Sequence, residues 1–347
     1  MKQPTMDDVA VEAGVSRALV SLVMRDAPNV SDARRAAVLA AARTLGYRPN
    51  VLARNLASRR TFSIGVMIND LHNPYFVEVL DGMESVATDA GYHLLIAPGW
   101  QNACSERTAI ESILEYRVDG VILAGPRLEA KTIVEAAKAA PVVMVGRTIQ
   151  SRAVDSINND EAVGARLAVD HLVELGHRQI THLDGGSGAG AAARRAGYSA
   201  AMVHHGLGDH VQFVHGDFTA ASGIEGARTV LGQQDVPTAV FAANDLMAAG
   251  AVDTFEQAGL RVPDDISIVG YDNTALAAMP HMSLSTIHQP REEMGKLAVE
   301  ALLERIDGSR TSCRREVLAP RLVARSTSGP APTRTSHTLS STERTSG

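Results

Sequence analysis

The sequence is poor in several features that define common protein classes. It has two cysteines, one tryptophan and 4% aromatic residues, and no apolar run approaches the roughly 20 residues that cross a bilayer. Cys104 and Cys313 are too few for a disulfide framework or a cysteine zinc cluster. The first residues, MKQPTMDDVA, lack the apolar segment of a signal peptide. These absences predict a cytoplasmic protein in a reducing compartment, without membrane contact or a bound metal.

The charge is distributed unevenly along the chain. The net charge is −6 over 347 residues, yet residues 1–60 carry +5 and the remainder carries −11. A basic N-terminal segment on an acidic body is typical of a protein whose head alone meets a polyanion. The length and the 45% hydrophobic content are sufficient for two or three domains with substantial cores.

The first 58 residues contain helix signals and no strand-like run. We expect helices over Met6–Ala13, from Arg17 to about residue 25, and from Asp32 to Leu45. Capping side chains mark their starts and glycines mark two of their ends: Thr5 with Asp8, Ser16 and Ser31, then Gly14 and Gly46. The spacing of the first two helices around Gly14 predicts either a DNA-binding helix-turn-helix or a simple packing hairpin.

From Phe62 the pattern changes to alternating strands and helices. The predicted strands are continuous apolar runs, as in a parallel sheet that is covered on both faces. They are Ser63–Ile68, His93–Ala97, Gly120–Ala124, Val142–Val145, Ile180–Leu183, Thr238–Ala242 and Ser267–Tyr271. Because this region exceeds a single comfortable core, it predicts an α/β core of two lobes.

Residues 5–58, TMDDVAVEAGVSRALVSLVMRDAPNVSDARRAAVLAAARTLGYRPNVLARNLAS, resemble the DNA-binding head of the lactose-repressor (LacI/GalR) family. The similarity includes the link Gly-Tyr-x-Pro-Asn at 46–50 and a hinge that ends Ala-x-x-Leu at 53–56. It continues along the chain at 73–76 (NPYF), 118–120 (VDG), 176–178 (GHR), 244–247 (NDLM), 262–267 (VPDDIS) and 270–273 (GYDN).

The resemblance implies the fold and its boundaries. We expect an all-α helix-turn-helix head at 1–49, a hinge helix and linker at 50–60, and an effector-binding α/β core at 61–327. The core is expected to have a two-lobed periplasmic-binding-protein-like fold with parallel sheets. Its N-lobe would comprise about 61–158 and 289–318, and its C-lobe about 159–288 and 319–327. The Ser/Thr-rich segment 328–347 is expected to be a disordered tail.

The resemblance also implies how the head meets DNA. Arg17 and Ala18 would read bases at the start of the second helix, although Arg17 in a phosphate contact is the alternative. Leu56 of the hinge would wedge into the minor groove. Leu19 and Leu22 depart from the threonine and arginine that are common in the family. The expected DNA-contacting residues are Thr5, Ser16, Arg17, Ala18, Ser21, Arg25, Asn50, Ala53, Arg54, Asn55 and Leu56.

The effector is expected to bind between the lobes, at the carboxyl ends of the strands. The matching positions are Tyr75, Phe76, Arg147, Arg194, Phe218, Asn244 and Asp272. A carboxylate, a guanidinium, an amide and an aromatic face suit a sugar or sugar derivative. A purine is the alternative, although Gly188 and Gly190 lack the polar groups of the purine-binding branch. For Arg194 and Asp272, a mutual salt bridge is the structural alternative.

Other patterns permit weaker hypotheses. Gly186 to Ala191 fits the dinucleotide fingerprint GxGxxG/A, with Asp209 about twenty residues later, which would indicate a dehydrogenase. His204, His205, His210 and His215 invite a metal site, but their spacing favours a solvated surface. No catalytic motif is present, so we expect no enzymatic activity and no cofactor. A third alternative is a ligand-binding protein without a DNA-binding role. This alternative does not explain the basic N-terminal segment.

The expected partners follow from the same resemblance. They are palindromic double-stranded operator DNA, a sugar-like small molecule and a second copy of the chain, because two heads on two half-sites are needed for useful specificity. The tail has no apolar heptad repeat, so a homodimer is expected rather than a coiled-coil tetramer.

Overall fold

The computed structural model describes residues 4–24, 27–47 and 60–333, and the chain divides into two units after Phe62. The first unit contains the head, and the second contains the core. Each unit folds around its own buried apolar residues.

The head has three helices, α1 (Met6–Ala13), α2 (Arg17–Met24) and α3 (Asp32–Leu45). The capping box is present at the start of α1: Thr5 accepts from the backbone N–H of Asp8, whose side chain accepts from the backbone N–H of Thr5. Gly14 closes α1 at φ 65°, a left-handed conformation that glycine adopts without steric cost. The small core consists of Val9, Ala10, Val20, Val23, Val30, Val38, Ala41 and Ala42.

One lobe of the core, the N-lobe, is built on a six-stranded parallel sheet in the order β11-β5-β4-β3-β1-β2. Its strands are β1 (Ser63–Ile68), β2 (His93–Pro98), β3 (Gly120–Ala124), β4 (Val142–Val145), β5 (Val154–Asn159) and β11 (Arg315–Leu318). Its helices are α4 (Tyr75–Asp89), α5 (Ala103–Glu115), α6 (Ala130–Ala139) and α11 (Arg291–Ile306).

The other lobe, the C-lobe, has a six-stranded sheet in the order β12-β10-β9-β8-β6-β7. Its strands are β6 (Ile180–Leu183), β7 (Gln212–Val214), β8 (Ala239–Ala242), β9 (Ser267–Asp272), β10 (Ser285–His288) and β12 (Arg321–Val323). Its helices are α7 (Glu161–Glu174), α8 (Ala191–His204), α9 (Ala220–Leu231) and α10 (Asp245–Gln257), with a 3-10 turn at Gly208–His210. The parallel α/β expectation is confirmed, except that β12 runs antiparallel to β10.

The chain passes between the two sheets three times. The connections lead from β5 to α7, from β10 to α11 and from β11 to β12. Because β5 and β11 are neighbours at one edge of the first sheet, and β10 and β12 at one edge of the second, all three connections leave the same edge of each sheet.

The segment after residue 327 corrects one prediction. Ser328 Oγ lies 2.8 Å from His171 Nε2, and the backbone N–H of Ala331 donates to the carbonyl of Leu175 at 2.8 Å. The carbonyl of Gly329 lies 3.1 Å from His177 Nε2, which is buried. Residues 328–331 are therefore anchored to the C-lobe by hydrogen bonds, and a disordered tail beginning at Ser328 is wrong for them. Residues 334–347 lie outside the described residues.

Candidate functional sites in the head and the core

Helix α2 presents one polar and one apolar side. Val20 and Val23 are buried in the head core, whereas Arg17 and Ala18 are exposed and Ser21 is half-buried. The Arg17 side chain is held only loosely, with its Nε 3.8 Å from Asp7 Oδ1 and both side chains largely exposed. The exposed side of α2 therefore offers a solvent-exposed guanidinium at the start of the helix.

Ser16 and Thr5, which are also predicted to contact DNA, make hydrogen bonds that cap helices. Ser16 Oγ accepts from the backbone N–H of Leu19 at 3.2 Å and so caps α2. The Thr5 hydroxyl donates to Asp8 Oδ2 at 2.7 Å within the capping box. The other predicted contacts, Arg25, Asn50, Ala53, Arg54, Asn55 and Leu56, lie outside the described residues.

Between the lobes of the core lies a narrow inner cavity of about 50 Å³. Its walls follow the carboxyl ends of strands from both sheets, as expected for parallel α/β lobes. The structure brings together five predicted effector residues there, Tyr75, Phe76, Arg194, Phe218 and Asp272. The other lining residues include Asn69, Asp70, Asn73, Gln101 and Glu161.

Arg194 is the buried cation of this cavity. Its Nε donates to Glu161 Oε2 at 2.7 Å, its Nη1 donates to the carbonyl of Ala243, and its guanidinium lies 3.8 Å from the centre of the Tyr271 ring. Burial alone would lower the pKa of Arg194, but the Glu161 carboxylate outweighs burial and raises it. The ion pair of Arg194 is thus with Glu161, and the alternative of a mutual salt bridge with Asp272 is wrong.

Asp272 is the carboxyl group on the opposite wall. It is buried, its Oδ1 accepts from Gln289 Nε2 at 2.6 Å, and its backbone has φ 113°. Such a φ is unfavourable for any residue other than glycine and is found mainly at functional sites. Burial raises the pKa of Asp272, and the nearby Asp245 carboxyl reinforces the shift. The group can therefore offer a hydroxyl donor as well as an acceptor to a ligand.

Phe218 provides the aromatic face of the cavity, and its ring fits only because the residues packed against it are glycines. A Cβ at Gly188 would lie 2.4 Å from Phe218 Cε2, and a Cβ at Gly185 would lie 2.1 Å from its Cζ. Asn244, predicted to contact the effector, instead donates through Nδ2 to the carbonyl of Phe218 at 2.9 Å, while its Oδ1 caps α10. Both polar atoms of Asn244 are occupied, so it positions Phe218 rather than lining the cavity.

Arg147 lies outside the inner cavity. Its Nη1 donates to the carbonyls of Pro126 and Leu128, at 3.1 and 2.5 Å. It lines a second cavity of about 710 Å³, which shares Gly146, Glu161 and Ala189 with the inner cavity. The prediction named Arg147 as an effector contact between the lobes; in the structure its side chain lines the larger cavity and turns toward the loop after β3.

The dinucleotide fingerprint fails on geometry. The loop Gly186–Gly190 follows the carboxyl end of β6, whereas Asp209 lies near Ile180 and Gln212, at the amino ends of β6 and β7. The acidic residue of that fingerprint should lie near the ribose of a nucleotide bound at the carboxyl ends. In this chain Gly188 of the loop, together with Gly185 just before it, instead makes room for Phe218.

The histidines at 204–215 do not converge on one site, since two of them pair with different aspartates. His205 Nε2 lies 2.7 Å from Asp170 Oδ1, and His215 Nδ1 lies 2.9 Å from Asp184 Oδ2. Among the described residues, no group of three or more His, Cys, Asp or Glu side chains is placed to hold a metal ion. Nor does the described part of the chain contain a helix with the length and apolar character needed to cross a membrane.

The sequence reasoning missed several residues of the cavity. Glu161 looks like an ordinary acidic residue in the first turn of a helix, and only its pairing with Arg194 reveals its place. Asp70 and Gln101 join across the cavity wall, with Gln101 Nε2 donating to Asp70 Oδ2 at 2.8 Å. The sequence does contain one indication of Asp70 and Gln101: both residues closely follow strands whose carboxyl ends face the cavity.

Comparison with known protein families assigns both units. Residues 5–50 match the model for bacterial regulatory proteins of the lacI family, and residues 169–328 match that for a periplasmic binding protein-like domain. Together these matches cover the head and most of the C-lobe.

Individual proteins match over nearly the full chain. The HTH-type transcriptional repressor PurR of Photobacterium profundum is 36% identical over 325 residues, covering 92% of this chain and 97% of the relative. The ribose operon repressor of Haemophilus influenzae is 35% identical over 323 residues, covering 92% and 97%. A crystal structure of the lac repressor dimer bound to operator and the anti-inducer ONPF superposes with a TM-score of 0.84 at 33% identity, covering 94% of this chain and 100% of that one.

Proposed function

Because the chain belongs to the LacI family of bacterial transcriptional regulators, we propose that it is a homodimeric repressor which binds a palindromic operator through α2 and responds to a sugar-like effector in the inner cavity. The observation that carries the DNA role is the exposed side of α2, with the solvent-exposed Arg17 guanidinium, on a segment of net charge +5. The observation that carries the effector role is the set of polar and aromatic side chains between the lobes.

The N-lobe supports dimer formation. Strand β2 is an edge strand of its sheet, and exposed edges require a cover. Exposed apolar side chains lie on β2 (Ile96), just after it (Trp100), in the segment after the neighbouring strand β1 (Leu71) and in the first turn of α4 (Val77). A second copy of the chain, related by a two-fold axis, would cover this surface and set two heads against two half-sites.

The chemistry of the cavity favours a neutral polyhydroxylated ligand. Asp272 has a carboxyl oxygen left over beyond its bond to Gln289, and Arg194 Nη2 has no partner among the described residues. Phe218 can cover the apolar face of a sugar ring. The relative from Haemophilus influenzae is named for a ribose operon, which agrees with this class. A purine is the second candidate, and Gly188 and Gly190 in the wall of the larger cavity offer it no side-chain hydrogen bonds.

We place the protein in the cytoplasm, where operator DNA is found, and assign it no catalytic activity, in keeping with relatives that are transcription regulators. Effector binding would reach the head through the hinge at 50–60, of which residues 50–59 lie outside the described residues. Leu56→Ala should abolish specific operator binding and retain salt-sensitive non-specific binding, since the wedge and not the charge is removed.

The effector role is tested with the full-length protein. Sugars and nucleosides are screened by thermal shift, and operator affinity is measured with and without each hit. Asp272→Ala should lose the stabilisation and the effector response while retaining operator binding. Asp253→Ala, which removes an exposed carboxyl from α10, is the matched control and should behave as wild type. Undiminished effector binding by Asp272→Ala would move the site away from the inner cavity.

A further inference from the structure

The side of α2 that is free to meet DNA includes one large apolar side chain. Successive residues of an α-helix are rotated by about 100°, so Arg17, Ser21, Ala18 and Leu22 fall within an arc of about 140°. Val20 and Val23, which are buried, lie on the opposite side. Leu22 is 39% exposed, and it lies at one end of the exposed arc with the small Ala18 one turn before it.

The two leucines of α2 have different surroundings. Leu19 is half-buried and packs against the head core, so its apolar character has a structural reason. Leu22 is absent from that core. An isolated exposed leucine is ordinary on a protein surface, but this one shares its face with Arg17, and a duplex docked against that face covers both.

Covering Leu22 with base edges restricts which bases can lie opposite. In the major groove adenine, guanine and cytosine present hydrogen-bonding groups and no methyl group, whereas thymine presents a methyl group beside its single acceptor. A leucine pressed against a polar edge removes water from a donor or acceptor without replacing its hydrogen bond. A leucine against the thymine methyl buries apolar surface on both partners.

We propose that Leu22 is a specificity-determining residue that reads the C5-methyl group of a thymine in each operator half-site. The rise from Arg17 to Leu22 along the helix is about 7.5 Å, or roughly two base-pair steps, so the thymine lies close to the base pair that Arg17 reads. The inference rests on the proposed operator binding through α2.

The first step of the test is selection of binding sequences from random DNA with the full-length wild type. The selected half-site should contain a thymine within a few base pairs of the Arg17 contact. Each thymine of that site is then replaced singly by deoxyuridine, which retains base pairing and lacks only the methyl group. At one position affinity should fall about four-fold, and about fifteen-fold when both half-sites are changed, as expected for one buried methyl.

Variants of Leu22 assign the effect to this side chain. Leu22→Ala should bind thymine and deoxyuridine sites equally, Leu22→Met should retain the wild-type discrimination, and selection with Leu22→Arg should replace the thymine by guanine. Because Leu22 is exposed, the variants should fold, and unchanged salt-dependent binding to non-specific DNA checks this.

Three results would overturn the inference: no deoxyuridine effect in wild type, the same effect in Leu22→Ala, or equal weakening of all DNA by Leu22→Ala. The last result would indicate that Leu22 packs against another part of the protein. Each of these leaves operator binding intact. If selection enriches no sequence at all, the proposed DNA-binding function itself fails.

Discussion

The ion pair between Arg194 and Glu161 allows a quantitative test of how the effector cavity is maintained. Their side chains are only 6% and 11% exposed, so neither charge is well solvated. Glu161→Gln removes the negative charge, retains the size of the side chain and leaves the Arg194 guanidinium buried beside the Tyr271 ring. We expect this variant to be destabilised, because a buried charge that loses its partner retains its full desolvation cost.

The expected size of the loss follows from this burial. Breaking a buried pair costs about 3–5 kcal/mol, and the glutamine amide oxygen can still accept from Arg194 Nε, which favours the lower end. A loss of about 3 kcal/mol lowers Tm by about 6–12 °C in a domain of this size. The variant Glu161→Gln/Arg194→Met, which removes both charges, should recover much of the loss.

The matched control is an exposed pair of the same residue types. Glu225 and Arg228 on α9 have side chains that are 70% and 63% exposed, so Glu225→Gln should change the free energy of unfolding by less than about 1 kcal/mol. Thermal and urea unfolding of the wild type and the three variants provides the comparison. If Glu161→Gln loses no more stability than Glu225→Gln, the buried pair does not hold the cavity together and the reasoning is refuted.

Three further outcomes are expected. Arg17→Ala should relax the preference at one base pair per half-site in a binding assay, and equal weakening of every sequence would make it a phosphate contact instead. Gly188→Val should displace the Phe218 ring and weaken effector binding in calorimetry, with unchanged binding as the contrary result. The pKa of Asp155 is lowered, since hydrogen bonds from Arg305 and Arg310 outweigh its burial. Its contribution to stability is therefore present above about pH 4 and lost as the pH falls further. The unfolding free energy of Asp155→Asn should depend less on pH there, and matching pH profiles would contradict this.

The sequence predicted best the elements that local chemistry determines. Helix α1 begins and ends where Thr5 and Gly14 place it, because capping acts through neighbouring residues. Strands β1, β3 and β4 were located to the residue, since continuous apolar runs reflect burial on both faces. Strand β5 escaped notice because Asp155, Ser156 and Asn159 make it polar, and its burial depends on arginines that lie about 150 residues away.

The candidate site was predicted in part, and the errors share one cause. Matching positions in the family predicted Asp272, Phe218 and Asn244 alike as effector contacts, but the direction of a side chain depends on its partners. Asn244 turned toward the Phe218 carbonyl and away from the cavity. Leu39 of α3 shows the same dependence on tertiary packing, since this apolar side chain is 41% exposed. Spacing on a helix places a residue on a face, and tertiary packing decides whether that face is covered.

The three connections at one edge of the sheets determine how the two lobes can separate, and therefore the order in which a ligand between them would meet its contacts. Two lobes that are connected along one edge can open by rotating about that edge. The displacement of a residue then grows with its distance from the connected edge. Asp272 ends β9, two strands from that edge, whereas Phe218 and Gln101 follow β7 and β2 at the far edges and travel farthest. In the proposed site, a ligand would therefore meet the carboxyl of Asp272 while the lobes are still apart, and the contacts with Phe218 and Gln101 would form last. Domain closures of this kind take microseconds to milliseconds, and in the proposed site ligand release would begin with the contacts most distant from the connected edge.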